Sequence, residues 1–166
     1  MHHNDNRPAL LSKRRQPRFW LAARLAVAAW SCLSLPAWAA LGDAETSVSQ
    51  DAVAFKASLR VAPAANYRVH VLLTPEGTTI REYVSAASVI FAVSWQGPFK
   101  PSLRLLLGTY FDRYSSAPPA TDSTRTHLKI ELPDLVVRSS GHLRFFSGVA
   151  LLPQSLPAGV TEGDLQ

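Results

Sequence analysis

The sequence predicts an α+β domain, an antiparallel β-meander sheet with an N-terminal helix and a central amphipathic helix packed on one face. Three observations carry that expectation. Apolar residues alternate with polar ones in several short runs separated by turn residues, the period of half-buried strands. Two longer segments repeat apolar residues at helical spacing. The links between strands are too short for the crossovers that parallel pairing needs, so the sheet is antiparallel.

Taken in order, residues 43–59 read as the first helix, with Val48, Ala52, Phe55 and Leu59 on one stripe and Pro63 beyond its end. Tyr67, Val69, Val71 and Leu73 alternate with Arg68, His70 and Leu72 as a strand, and Pro75-Glu76-Gly77 forms a turn. Strands follow at 78–84 and 89–95, the latter presenting Val89, Phe91, Val93 and Trp95 as one bulky face. Leu103, Leu106, Leu107, Tyr110, Phe111 and Tyr114 mark an amphipathic helix over 102–115, with Ser102 as N-cap and Gly108 as an internal weakness. A Ser/Thr/Pro/Ala-rich loop covers 115–126, and Leu128, Ile130 and Leu132 define the next strand. A closing hairpin pairs 135–138 with 143–152 around Ser139-Ser140-Gly141, with a bulge expected at Gly148.

The organisation expected is a cleaved secretory signal peptide over 1–39, one α+β domain over 40–152 and an extended C-terminal tail over 153–166. Lys13, Arg14, Arg15, Arg18 and Arg24 precede an apolar run from Leu25 to Leu35, then Pro36 and Ala37-Trp38-Ala39. That order of basic, apolar and small-residue regions is what signal peptidase reads, with the cut between Ala39 and Ala40. The rival is an uncleaved anchor, but Arg24 and Pro36 bound only eleven residues, where a stable span needs roughly 20. Twin-arginine export fits poorly because Gln16-Pro17 follows Arg14-Arg15, and lipidation fits poorly because Trp30 precedes Cys32. The export machinery and signal peptidase are therefore expected partners, the location is periplasmic or secreted, and no stable membrane span is expected after cleavage.

The leader also distorts the composition. The formal charge is +5, yet six of the 17 Lys+Arg and one of the 12 Asp+Glu lie in 1–39, leaving eleven bases against eleven acids. A neutral domain without a Lys/Arg cluster has no footprint for phosphate backbones, which excludes nucleic acid as an expected partner. Cys32 is the single cysteine, so residues 40–166 hold no thiol nucleophile, disulfide or cysteine metal ligand.

Within the domain ALGDA at 40–44, REYVS at 81–85, FAVSWQGP at 91–98, LRLLLGTYF at 103–111, GHLRFFSG at 141–148 and LPAGV at 156–160 resemble domain-of-unknown-function family 2844, small secreted bacterial proteins. The resemblance implies an exported location and brings no activity, cofactor or site residue with it.

Candidate sites come from the residues themselves. His142 with Ser140 or Ser139 and Asp134 are the components of a nucleophilic triad, but adjacent residues seldom form one and no G-x-S-x-G elbow is present, so a polar turn is the plainer reading. His70 and His127 stand on the polar sides of strands, where metal binding would require Glu82 or Glu131 nearby; no metal motif has that spacing, no metal or other cofactor is expected, and solvated histidines are the simpler account. Arg81-Glu82-Tyr83 is either a cross-strand ion pair or a contact patch on the sheet face away from the helix. Trp95, Phe99, Tyr110, Phe111 and Tyr114 are either core or the lining of an aromatic groove between sheet and helix. The function expected is a non-enzymatic binding or accessory protein of the cell envelope with an unidentified envelope protein partner; the alternatives are a small-ligand binder using the aromatic groove and a hydrolase.

Overall fold

Residues 41–165 are described by the structure, a computed structural model, and all of them belong to the unit Pro36–Gln166. The expected cleavage point at Ala39 and Ala40 lies outside the described residues.

A 3-10 turn at Glu45–Ser47 leads into α1 (Val48–Ala54), and β1 (Ser58–Pro63), β2 (Tyr67–Leu73), β3 (Thr79–Ser85) and β4 (Ile90–Gly97) then form a meander. Two short helices, α2 (Leu103–Leu107) and α3 (Phe111–Ser116), precede a second meander of β5 (His127–Leu132), β6 (Leu135–His142) and β7 (Phe145–Leu151). The last strand joins the two, because β7 pairs antiparallel with β4 and gives the order β1-β2-β3-β4-β7-β6-β5. The expected α+β architecture with an antiparallel meander is present as a seven-stranded sheet.

Both faces of the sheet bury apolar residues, unequally. One carries α1, α2 and α3 over Leu72, Ile80, Val93, Trp95, Val137 and Ala150, with Leu103, Leu106 and Leu107 completing the layer. The other holds a smaller cluster of Tyr83, Phe91, Ala92, Leu151 and Leu165. The tail after β7 contains 3-10 turns at Pro153–Ser155 and Glu162–Asp164, and it crosses this second face to bury Leu165 completely.

Several local expectations are corrected. The first helix stops at Ala54, because Lys56 takes a positive φ of 51° and turns the chain into β1; Leu59, expected on the helical stripe, lies in this edge strand and is exposed. Pro63 is tolerated there because its missing N–H falls at the end of an edge strand. The central helix is broken at Gly108, whose φ of 48° no helix interior accepts, and a 3-10 turn links its two halves. Ser102 offers no side-chain cap; its carbonyl accepts from the amides of Leu105 and Leu106. Phe91 leaves the face of Val93 and Trp95 because the register slips between Tyr83 and Val84, where Tyr83 faces Ala92 and Val84 faces Ile90. The closing hairpin turns three to four residues later than expected, at Leu143 and Arg144, both with positive φ as a two-residue primed turn requires. Ser139, Ser140 and Gly141 are thus strand residues.

Gly148 is no bulge either. It sits in register between Trp95 of β4 and Ser139 of β6. A β-carbon there would meet the Trp95 indole at 2.2 Å and the Arg138 carbonyl oxygen at 2.6 Å. Only glycine lets the indole lie across the seam between the meanders. Gly148→Ala should destabilise the fold by about 2 kcal/mol, in the range for overpacking a core. Urea denaturation of the variant checks it, and an unchanged midpoint would show that the indole has room to move.

Candidate functional site

Strand pairing sorts the expected site residues onto opposite faces. Arg81, Tyr83 and Ser94 point away from the helices, whereas His70, Glu82, Val93 and Trp95 point toward them. The Arg81-Glu82-Tyr83 patch is therefore divided, with Glu82 on the side opposite to the one expected.

Under α1, Glu82 and Asp51 are each 1% exposed, and the carboxyl that faces Glu82 is that of Asp51. Burial first, then the neighbouring acid, pushes the Glu82 carboxyl up to about 9, so it holds its proton at neutral pH. Cross-strand from Glu82 is His70, also buried rather than solvated, with Nε2 2.9 Å from Glu45 Oε1. Arg68 grips the same carboxylate in a forked pair, its Nε 2.8 Å from Oε1 and its Nη2 against Oε2. That grip, opposed by partial burial and aided by His70 and Ser88, holds Glu45 down to about 2. The segment from Leu41 to Ala54 is stitched down by these groups and by backbone bonds, among them Gly42 N–H to the Ile90 carbonyl at 2.8 Å and Ile90 N–H to the Asp43 carbonyl at 2.9 Å.

This acid cluster is a latch for α1. Two carboxyls sharing a site can serve as acid and base, but Asp51 and Glu82 are both buried and line neither of the two cavities described below. Among the described residues no group of three His, Cys, Asp or Glu side chains is placed to hold a metal ion.

The larger cavity, about 560 Å³, lies on the face without helices and straddles the β4–β7 seam. Strand register lays out its floor in two rows. One runs Arg81, Ser94, Val149, Arg138, Lys129; the next runs Gln96, Ser147, Ser140, His127. The tail forms a wall, with Glu162 2.9 Å from Arg138 and Leu165 buried below. Lys129 is taken by Glu131 at 2.9 Å and Asp122 at 3.4 Å. Ser140 and Ser147 share a hydrogen bond of 2.8 Å. Arg81 meets no carboxylate among the described residues. A second cleft, about 530 Å³, lies beside Ala64–Arg68 and the tail; its one charged side chain, Arg68, is already held by Glu45.

The other expected residues fall as follows. Trp95 is 1% exposed and fills the sheet–helix core, where Tyr110, Phe111 and Tyr114 pack half-buried, so that interface is closed and the large groove lies on the other side. Phe99 is exposed outside it. Tyr83 stacks near Tyr67 and Phe91 at 6.0 and 6.3 Å, its hydroxyl 3.1 Å from Ser94 Oγ. His142 is exposed at the end of β6, while Asp134 is bound by Arg113 at the strand's other end, about 26 Å away for eight extended residues. Ser140 and Asp134 are thus engaged elsewhere, and His142 stands apart from both. The alternation of Arg138 and Ser140 with Val137 and Ser139 is the signal that would have placed β6 in the groove.

The latch has a pH signature. Because Glu82 binds its proton more tightly folded than unfolded, its contribution is fully present below about 4.5 and is lost as pH rises toward 9. Urea midpoints of the natural protein should fall between pH 5 and 9, and those of Glu82→Gln should fall much less. A natural protein that gained stability over that window would contradict the assignment.

No curated protein and no solved structure matches the chain. A family model described as a protein of unknown function matches residues 37–165, nearly the whole described chain. The chain belongs to domain-of-unknown-function family 2844.

Proposed function

We propose that this protein is exported, works in the bacterial cell envelope or outside the cell, and binds rather than transforms its ligand, using the groove on the helix-free face of the sheet. The observation that carries this reading is the asymmetry of the two faces. The helix side is filled by the larger core cluster, while the other side leaves a cavity of about 560 Å³ floored by strands and lined by polar and apolar groups alike, within the range of small-molecule sites. A rigid floor suits binding because the side chains are already in position. Turnover would need an activated group, and three of the groove's serines are held by other hydroxyls, Ser140 and Ser147 by each other and Ser94 by Tyr83. The leader of residues 1–39 supports the location. A partner protein of the envelope would meet the same face, which the tail crosses.

Two measurements test the reading together. Mass spectrometry of separated cell fractions should find the chain outside the cytoplasm beginning at Ala40, and an intact chain in the cytoplasm would contradict export. Amide spectra of the protein recovered from that fraction, mixed with the small molecules of the same compartment, should move at Ser94, Gln96 and Ser147. Movement confined to the helix face would contradict the groove.

A further inference from the structure

We propose that the groove takes a small, hydroxyl-rich carboxylic acid of the uronic-acid kind, with its carboxylate on Arg81; this rests on the groove being the binding site. The assignment begins with charge. Three side-chain cations line the cavity, and two are already neutralised, Arg138 by Glu162 and Lys129 by Glu131 and Asp122. Arg81 is the third, half-buried on β3 without a carboxylate partner among the described residues. A ligand lying over a guanidinium strips water from it and must return a charged acceptor, and a carboxylate matches the planar fork with two parallel hydrogen bonds. A phosphate carries more charge than one arginine answers, and no lysine beside Arg81 is free to help.

The rest of the floor specifies the remainder of the ligand. Ser94, directly cross-strand from Arg81, is buried with its hydroxyl on Tyr83, so the polar floor open to a ligand is the next row, Gln96, Ser147 and Ser140. These groups both donate and accept, so they suit hydroxyls rather than further charges. From Arg81 to Arg138 is three strand spacings, about 14 Å, enough for one or two sugar rings. At the far end Phe145 borders the cavity with 49% of its surface exposed, a flat apolar face beside polar ones. A sugar ring has the matching form, C–H bonds on one face and hydroxyls around its edge, and covering the phenyl removes apolar area from water.

Titrations of the processed protein with D-galacturonate, D-galactose and inorganic phosphate, followed by amide shifts, test the proposal. Galacturonate should move Ser94, Gln96 and Ser147 and bind about tenfold tighter than galactose, the effect of one charge-assisted contact. Arg81→Gln should weaken galacturonate about tenfold and leave galactose unchanged, and Arg81→Lys should keep part of the preference. If galactose binds the groove as tightly as galacturonate, or Arg81→Gln binds both as before, the acid assignment falls while the groove reading stands. Phosphate binding tighter than galacturonate also overturns it, in favour of a bare anion. No movement at the groove with any of the three overturns the acid assignment, and the groove reading is then decided by the compartment's own small molecules.

Discussion

The seam between β4 and β7 is the contact on which the rest of the molecule depends. Each meander is held by local hairpins, and strand pairing between them passes through this pair alone among the described residues. At its centre the Trp95 indole lies over Gly148, too close for a β-carbon on the opposing strand. The indole N–H is buried there without an acceptor among the described residues, so the contact is one of shape and apolar burial. On the reverse side of the same strands lie Ser94, Gln96 and Ser147, the floor of the groove. Because successive side chains alternate faces, the packing that locks the seam on one side determines where polar groups stand on the other.

That alternation explains how one sheet supports two different polar systems. On the helix face, Asp51, Glu82 and His70 are buried, Glu45 and Arg68 pair beside them, and their chemistry is spent on holding the N-terminal segment. Across the sheet, Arg81 is one position away from Glu82 in sequence and faces the open groove. The slip between Tyr83 and Val84 adds a third device. It turns Phe91 toward Tyr83 and Tyr67, so the end of the open face beyond the groove is closed by aromatic rings.

Much of the fold was legible from local pattern. Tyr67–Leu73 and His127–Leu132 alternate cleanly, and Leu103, Leu106 and Leu107 declare a buried stripe, so those elements follow from period alone. Where the local cue was ambiguous, it misled. Leu59 continues the helical stripe of Val48 and Ala52, and nothing nearby announces that Lys56 takes a left-handed conformation. Gly141 marks a turn by composition, yet the tip is Leu143–Arg144, a pair that seldom adopts positive φ. Gly108 was noticed as a weak point, and its positive φ divides the helix. The groove was not legible at all, since it needs β7 beside β4, a pairing of residues 49 to 59 apart that no hairpin rule supplies. Arg81 was singled out only together with Glu82 and Tyr83, and which face each of the three takes could be assigned only once register was known.

If the seam is the structural keystone, its amides should be the last to open. Hydrogen exchange under native conditions measures this directly, because protection of each amide reports the opening that exposes it. The account predicts that the amides bonded between β4 and β7, those of Val93, Trp95, Gly148 and Ala150, exchange only through global unfolding, with β1 and β5 opening earlier at the edges. Seam amides exchanging faster than those within either meander would mean that the halves part independently, and would contradict a groove built on a rigid floor.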